Sequence, residues 1–208
     1  VNRSLRLRTR LLTQAETHSV GLGDVGGVAR VVLAVTAVCE GALAVWLMLR
    51  LHLGHGMPWG EAAWSGLFHA VSAFNNAGFS LHGDSLTRYN RDTLILLPVA
   101  LGIVIGGIGF PVLQDLRARC RYPLHWSLHT KLTLTGSALL LVVGAGCLLV
   151  FEWNNPQTLG PMPAADKLLN AVFASVSART AGFNAVDIGA LTHESWALHF
   201  LLMFIGGG

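Results

Sequence analysis

Two short runs hold the residues with the most chemical content: Asn75-Asn76-Ala77-Gly78-Phe79 and Arg179-Thr180-Ala181-Gly182-Phe183. Gly78 and Gly182 stand 104 residues apart, and the residues leading to them repeat as well. Phe68–Phe79 reads FHAVSAFNNAGF, and Phe173–Phe183 reads FASVSARTAGF, one residue shorter between helix start and glycine. Glycine admits backbone angles that turn successive carbonyls toward one axis. Carbonyl oxygens are hard, neutral ligands for a monovalent cation that must both bind and leave. Neither run carries a carboxylate, the group that lines filters selective for divalent ions. Phe79 and Phe183 are expected to wedge their loops against the surroundings. The competing reading makes each glycine a helix C-cap. It leaves the shared Ala-Gly-Phe unexplained.

Loops of that kind need elements to hold them inside a bilayer, and the composition supplies these. Apolar residues make up 52% of the 208 and charged residues 12%, with a mean hydropathy of +0.55. Soluble domains carry roughly 25% charge. Val31–Leu49, Leu94–Leu113 and Leu132–Val150 each approach the ~20 apolar residues that cross a hydrocarbon core. Between them lie two segments too short to span, Glu61–Phe74 and Ala164–Ala178, which rise only about 21 Å as helices. The expected fold is all-α integral membrane, built from repeated helix–pore helix–filter loop–helix modules. Residues 1–27 read as a tail or linker of a preceding module and 28–116 as a complete module. Residues 117–130 read as a basic linker, and 131–208 as a second module cut short in its last helix.

Charge sets the expected orientation. Arg3, Arg6, Arg8, Arg10 and Arg30 precede the first span, and Arg117, Arg119, Arg121 and Lys131 lie between the second and third. The positive-inside rule puts these in the cytoplasm and both glycine loops at the outer end. Cys39, Cys120 and Cys147 have neither disulfide nor zinc spacing and read as packing residues. The chain starts at Val1 without methionine and stops at Gly206-Gly207-Gly208, ten residues into an apolar segment, which reads as a piece of a longer protein.

These residues resemble the Trk/Ktr/HKT superfamily of potassium transporters, most closely the membrane subunit of Ktr-type bacterial uptake systems. The resemblance rests on Phe68–Ser80, on Gly106–Leu113 (GGIGFPVL), on Ser127–Lys131, on Ser177–Leu191 (SARTAGFNAVDIGAL) and on Leu202–Gly207. It implies four modules around one pore, of which this chain holds the second and most of the third. It implies that Asn76, Ala77, Gly78 and Phe79, with Thr180, Ala181, Gly182 and Phe183, supply filter carbonyls for potassium. Gly206, Gly207 and Gly208 would begin a gating loop. Sodium is a co-transported or activating ion in some members, and no organic cofactor is implied. Implied partners are membrane lipid, a second copy in a homodimer and a cytosolic nucleotide-binding regulatory subunit, with no nucleic acid. The implied location is the bacterial plasma membrane, crossed several times.

Other residues carry weaker signals. Glu40 lies near the middle of the first span, where a charge costs ~2.5–3.5 kcal/mol. A structural carboxyl hydrogen-bonded to a neighbouring helix is favoured there over an ion site. Arg179 directly precedes a filter. It either pairs with an acid such as Asp187 or Glu40, the favoured reading, or repels cations. Asn75 and these two are expected to support the filter. Gly21–Gly26 fits GxGxxG by letter, but no strand precedes it, so it reads as a linker. His125 and His129, four apart, could share a helical face without completing a metal site, and the segment Arg117–Lys131 is the candidate contact for headgroups or a regulatory subunit. His52 and His55 read as solvated. The glycines of Leu94–Leu113 read first as close-packing residues. A membrane enzyme would need converging nucleophile–base or paired-carboxylate groups, which neither loop contains. A receptor or structural subunit would put no demand on Gly78 or Gly182.

Overall fold

A computed structural model describes residues 25–119 and 121–206. The chain divides into two compact units, Val1–Ala37 and Val38–Gly208. Of the first, residues 25–37 are described, and they form the opening turns of helix α1. The GxGxxG run, Cys120, Gly207 and Gly208 fall wholly or mostly outside the described residues.

Among the described residues seven helices follow in order: α1 (Val25–His55), α2 (Trp59–Phe74), α3 (Thr93–Ile108), α4 (Phe110–Arg119), α5 (Leu128–Glu152), α6 (Ala164–Thr180) and α7 (His193–Ile205). Three short 3₁₀ turns lie between them, and no strand occurs among the described residues. The fold is all-α, with α1 and α5 long and apolar enough to cross a membrane. The α3–α4 pair is a third candidate, bent by 96°.

The same local rules begin and end corresponding elements in each repeat. Pro58 and Pro163, both extended, precede α2 and α6, where a missing N–H costs nothing. Glu61 and Asp166 sit in the first turns, favourable for an acid at a helix N-terminus. Asp92 caps α3 by accepting from the Leu94 N–H, and Thr192 caps α7 by accepting from the Ser195 N–H. We call the end of Val38–Gly208 that carries His55, Asp92, Glu152 and Thr192 the upper end.

Several boundaries differ from those read in the sequence. The first helix continues past the expected Leu49 through His55, so that residues 56–58 alone separate it from α2. The expected return span to Leu113 breaks at Gly109, whose φ of +88° no helix contains. Pro111 then enters the first turn of α4, where its ring is tolerated. Helix α6 runs two residues further than expected, so Arg179 and Thr180 are helical rather than extended. His125 lies in a 3₁₀ turn and His129 in the first turn of α5, so they share no helical face. That linker is ordered by the Ser127 N–H donating to Asp115 (2.8 Å), Trp126 Nε1 to the Arg119 carbonyl (3.0 Å) and Lys131 Nζ to the Leu124 carbonyl (2.8 Å).

The main core lies where α3 packs against α2 and α6. Leu96, Val99 and Ile103 of α3 meet Ala73 of α2 and Phe173 and Val176 of α6, all buried. Small residues make this approach possible. A Cβ at Gly106 would strike the Phe74 carbonyl oxygen, and one at Gly66 would stand 2.8 Å from the Ala44 carbonyl oxygen. The glycines of α3 thus pack the helix under the loop.

Candidate filter loops

Each loop starts from a hydroxyl. Ser72 Oγ donates to the Phe79 carbonyl (2.8 Å), and Ser177 Oγ donates to the Phe183 carbonyl (2.6 Å). These bonds close loops of seven and six steps and locate the extra residue of the first repeat. It is absorbed at Asn76, whose φ of +52° is left-handed. The Asn76 N–H donates to the Ala73 carbonyl (3.1 Å) and the Ala77 N–H to the Ser72 carbonyl (2.8 Å), the pattern of a Schellman cap. Asparagine is among the few residues that tolerate that position. The left-handed residue that closes α2, one past its C-cap Asn75, is therefore Asn76, and Gly78 comes two residues beyond it with its own φ of +70°. A glycine that only ended the helix would stand at Asn76. In the second loop the N–H groups of Ala181 and Gly182 both reach the Ser177 carbonyl at 3.0 Å, and Gly182 turns at φ +81°.

The two loops touch. A Cβ on Gly78 would collide with the carbonyl of Ala181, so a main-chain oxygen of the second loop lies against the glycine of the first. The Leu86 N–H donates to the Asn184 carbonyl (2.9 Å), and the Asn184 N–H donates to Ser85 Oγ (3.1 Å), joining the segments just above. A Cβ on Gly182 meets nothing within 4 Å. The contact is head to tail, the type that propagates around an axis.

The aromatic residues follow that asymmetry. Phe183 is 2% exposed and belongs to the cluster of Ala73, Leu96, Val99, Ala100 and Ile103, its ring 6.3 Å from that of His69. Phe79 is 70% exposed, so among the described residues the expected wedge is seen at Phe183. The corresponding place in the second repeat is a cavity of about 350 Å³, whose walls include Ala178, Trp196, His199, Phe200 and Met203. Counted from the helix caps, these are the counterparts of the five residues around Phe183.

Supporting polar groups come from every side. Asn75 Nδ2 donates to Glu40 Oε1 at 2.6 Å, placing the carboxyl of the long apolar helix α1 against the end of α2. Arg179 meets neither Asp187 nor Glu40. Its Nη2 donates to Ser137 Oγ (3.1 Å) and its Nε to the Gly206 carbonyl (3.3 Å), because α6 carries the side chain toward the lower end rather than into the loop. His69, buried, has Nδ1 2.8 Å from the Ser65 carbonyl and Nε2 3.0 Å from Ser80 Oγ, just beyond Phe79.

At the upper end, Arg50 Nε (2.9 Å) and His55 Nε2 (2.8 Å) both reach Asp92 Oδ2. Burial pushes the Asp92 carboxyl up, but the hydrogen bonds from His55, Arg50 and the Leu94 N–H outweigh it and leave the pKa below the usual range. His55 is thus a partner of a helix cap, and His52 stacks on Trp59 at 3.8 Å and bonds the Met57 carbonyl. Glu152 plays the matching part in the second repeat. It is 1% exposed and accepts from Thr158 Oγ1 (2.5 Å), Asn155 Nδ2 (2.7 Å), the Thr192 N–H (2.9 Å) and Thr192 Oγ1 (2.8 Å). Sequence reading passed over it, because its donors come from two separate segments. An acid at the very end of an apolar run is the only signal that could have marked it.

A family model described as cation transport protein (TrkH) matches residues 8–208. The chain belongs to the TrkH family. The Ktr system potassium uptake protein B of Bacillus subtilis is 38% identical over 208 residues, all of this chain and 46% of that protein. The protein of the same name from Vibrio alginolyticus is 40% identical over 153 residues, 73% of this chain and 34% of that protein. The potassium/sodium uptake protein NtpJ of Enterococcus hirae is 34% identical over 195 residues, 91% of this chain and 42% of that protein. The chain therefore spans less than half the length of these curated relatives. It is a membrane protein of a transporter family.

Proposed function

We propose that this chain forms two adjacent quadrants of a potassium uptake pathway, with main-chain oxygens of Asn76–Phe79 and Thr180–Phe183 replacing the hydration shell of the ion. One observation carries the reading: equivalent glycines, both left-handed, in two re-entrant loops that touch through a main-chain oxygen. Irregular backbone at membrane depth is tolerated where it lines a water-filled path. Helices α2 and α6 end at these loops, so the negative ends of both helix dipoles favour a cation there. The names of the relatives support potassium as the ion, and one of them supports sodium as a second.

Further modules complete the ring. The cavity beside Phe200 and Met203 accepts the filter aromatic of a following module, as the first repeat accepts Phe183, and Phe79 enters the socket of a preceding one. Burying such a phenylalanine contributes ~1.5–3 kcal/mol, enough to fix neighbouring modules in register. The glycines at Gly206–Gly208 begin a gating segment. The protein lies in the bacterial plasma membrane, with the upper end outside, as a homodimer controlled by a cytosolic nucleotide-binding subunit. The test is Gly78→Ser in the full-length protein, assayed for potassium uptake in a deficient strain. Uptake is expected to collapse or lose selectivity at normal membrane abundance. Unchanged uptake contradicts the filter assignment.

A further inference from the structure

Asn76 has a side chain with an unusual target. With its carboxamide oriented so that both ends are satisfied, Nδ2 donates to the Ile103 carbonyl (3.2 Å) and Oδ1 accepts from the Gly107 N–H (3.1 Å). Ile103 and Gly107 are four apart in α3 and are each other's partners in an α-helical ladder. The side chain lies as a splint across that step, two residues before the helix breaks at Gly109. Gly107 is also where the second loop arrives, since Thr180 Oγ1 stands 3.7 Å from the position a Cβ would take there. Asn76 and Thr180 are the residues immediately before Ala-Gly-Phe in the two loops. The left-handed φ of Asn76 is held by the cap of α2, so the carboxamide faces α3 from a fixed backbone.

We propose that Asn76 is a positioning residue for ion selection, clamping the first filter loop to the Ile103–Gly107 step of α3. This rests on the potassium-filter reading. The extra residue of the first repeat then has a purpose beyond ending α2: it fastens the loop to the helix that bends beneath it. Carbonyls held at fixed separation discriminate between ions by the number and field strength of their dipoles. A loop freed from α3 relaxes around the smaller sodium ion.

The decisive variant is Asn76→Gly in the full-length protein, because glycine keeps the left-handed backbone and removes only the splint. The expected result is a potassium-to-sodium uptake ratio lowered about tenfold, equivalent to ~1.4 kcal/mol, at wild-type membrane abundance. Gly107→Ala attacks the contact from the other side, since its Cβ would stand 3.2 Å from the end of the Asn76 carboxamide. It is expected to lower the ratio too, and the double variant to be no worse than the worse single one, as for residues acting through one contact. Should Asn76→Gly fail to accumulate, Gly107→Ala alone carries the test. A wild-type ratio in whichever variant accumulates, or effects that multiply in the double variant, overturns the clamp. Gly78→Ser run in parallel separates the two ideas: if it changes selectivity and Asn76→Gly does not, only the clamp is lost. If neither does, the filter reading falls with it.

Discussion

Phe79 and Phe183 occupy the same place in two copies of one module, yet the first is 70% exposed and the second 2%. The difference is positional rather than chemical. Phe183 has the face of the first repeat to enter, and Phe79 points where the described residues offer no counterpart. Gly78 and Gly182 show the same asymmetry: one is pressed by the Ala181 carbonyl, and the other looks into open space. Two modules related head to tail leave one unmatched face at each end, and identical side chains acquire different energetics from that alone. The upper ends teach a second lesson. Each repeat fastens its first long helix to the cap of its returning helix, but one does so with Arg50 and His55 on Asp92, the other with Glu152 on Thr192. The geometry is retained while donor and acceptor exchange sides.

The largest expected contrast is between the glycines. Gly182→Ala meets only an unfavourable backbone angle, about 1–2 kcal/mol. Gly78→Ala meets that cost and a collision with the Ala181 carbonyl, so it should lower thermal stability in detergent by clearly more. Equal shifts for the two alanine variants would break the head-to-tail account. Next come the upper-end ties. Glu152→Ala leaves four donors without their acceptor, a loss of about 3 kcal/mol, visible as a lowered melting temperature at neutral pH.

The Asp92 tie differs in kind, because it is a charged pair at a helix cap outside the two long apolar helices. Its pKa is depressed in the folded state, so its contribution is present above the ordinary carboxylate value of about 3.9 and disappears as pH falls below it. Wild-type stability should therefore drop on acidification below about pH 4 by more than that of Asp92→Asn, which has no such charge to lose. Parallel pH curves for the two proteins would remove this role. The smallest contrast lies in the serines. Ser177→Ala strips a buried hydrogen bond from the Phe183 carbonyl and should cost about 1–1.5 kcal/mol, and Ser72→Ala, in a partly buried setting, about 0.5–1 kcal/mol. Reversed order in denaturation would show that the second loop is the looser one.

Much of this was legible in the residues. Apolar runs and the doubled Ala-Gly-Phe gave the helices, their order and the two loops, and the repeats showed a one-residue offset, though not that Asn76 absorbs it. The rest depended on contacts that no local pattern encodes. Helix α6 outlasted its expected end because the Ser177 carbonyl accepts two successive N–H groups, which propensity does not report. Arg179 was assigned an acid on charge alone, whereas the helix aims it at Ser137 and the Gly206 carbonyl. His55 looked solvated until Asp92, 37 residues later, was brought to it. Gly109 reads in the sequence as one more packing glycine of Leu94–Leu113, whereas the bend of 96° there is a property of how α4 leaves the bundle.

The central claim concerns where an alkali ion loses its water. Diffraction from the full-length protein with rubidium in place of potassium would locate it directly by anomalous scattering. A peak among the main-chain oxygens flanking Gly78 and Gly182 is the expected result, displaced by excess potassium. Rubidium sites confined to carboxylates elsewhere, with the two glycine loops vacant in well-ordered density, would contradict the account.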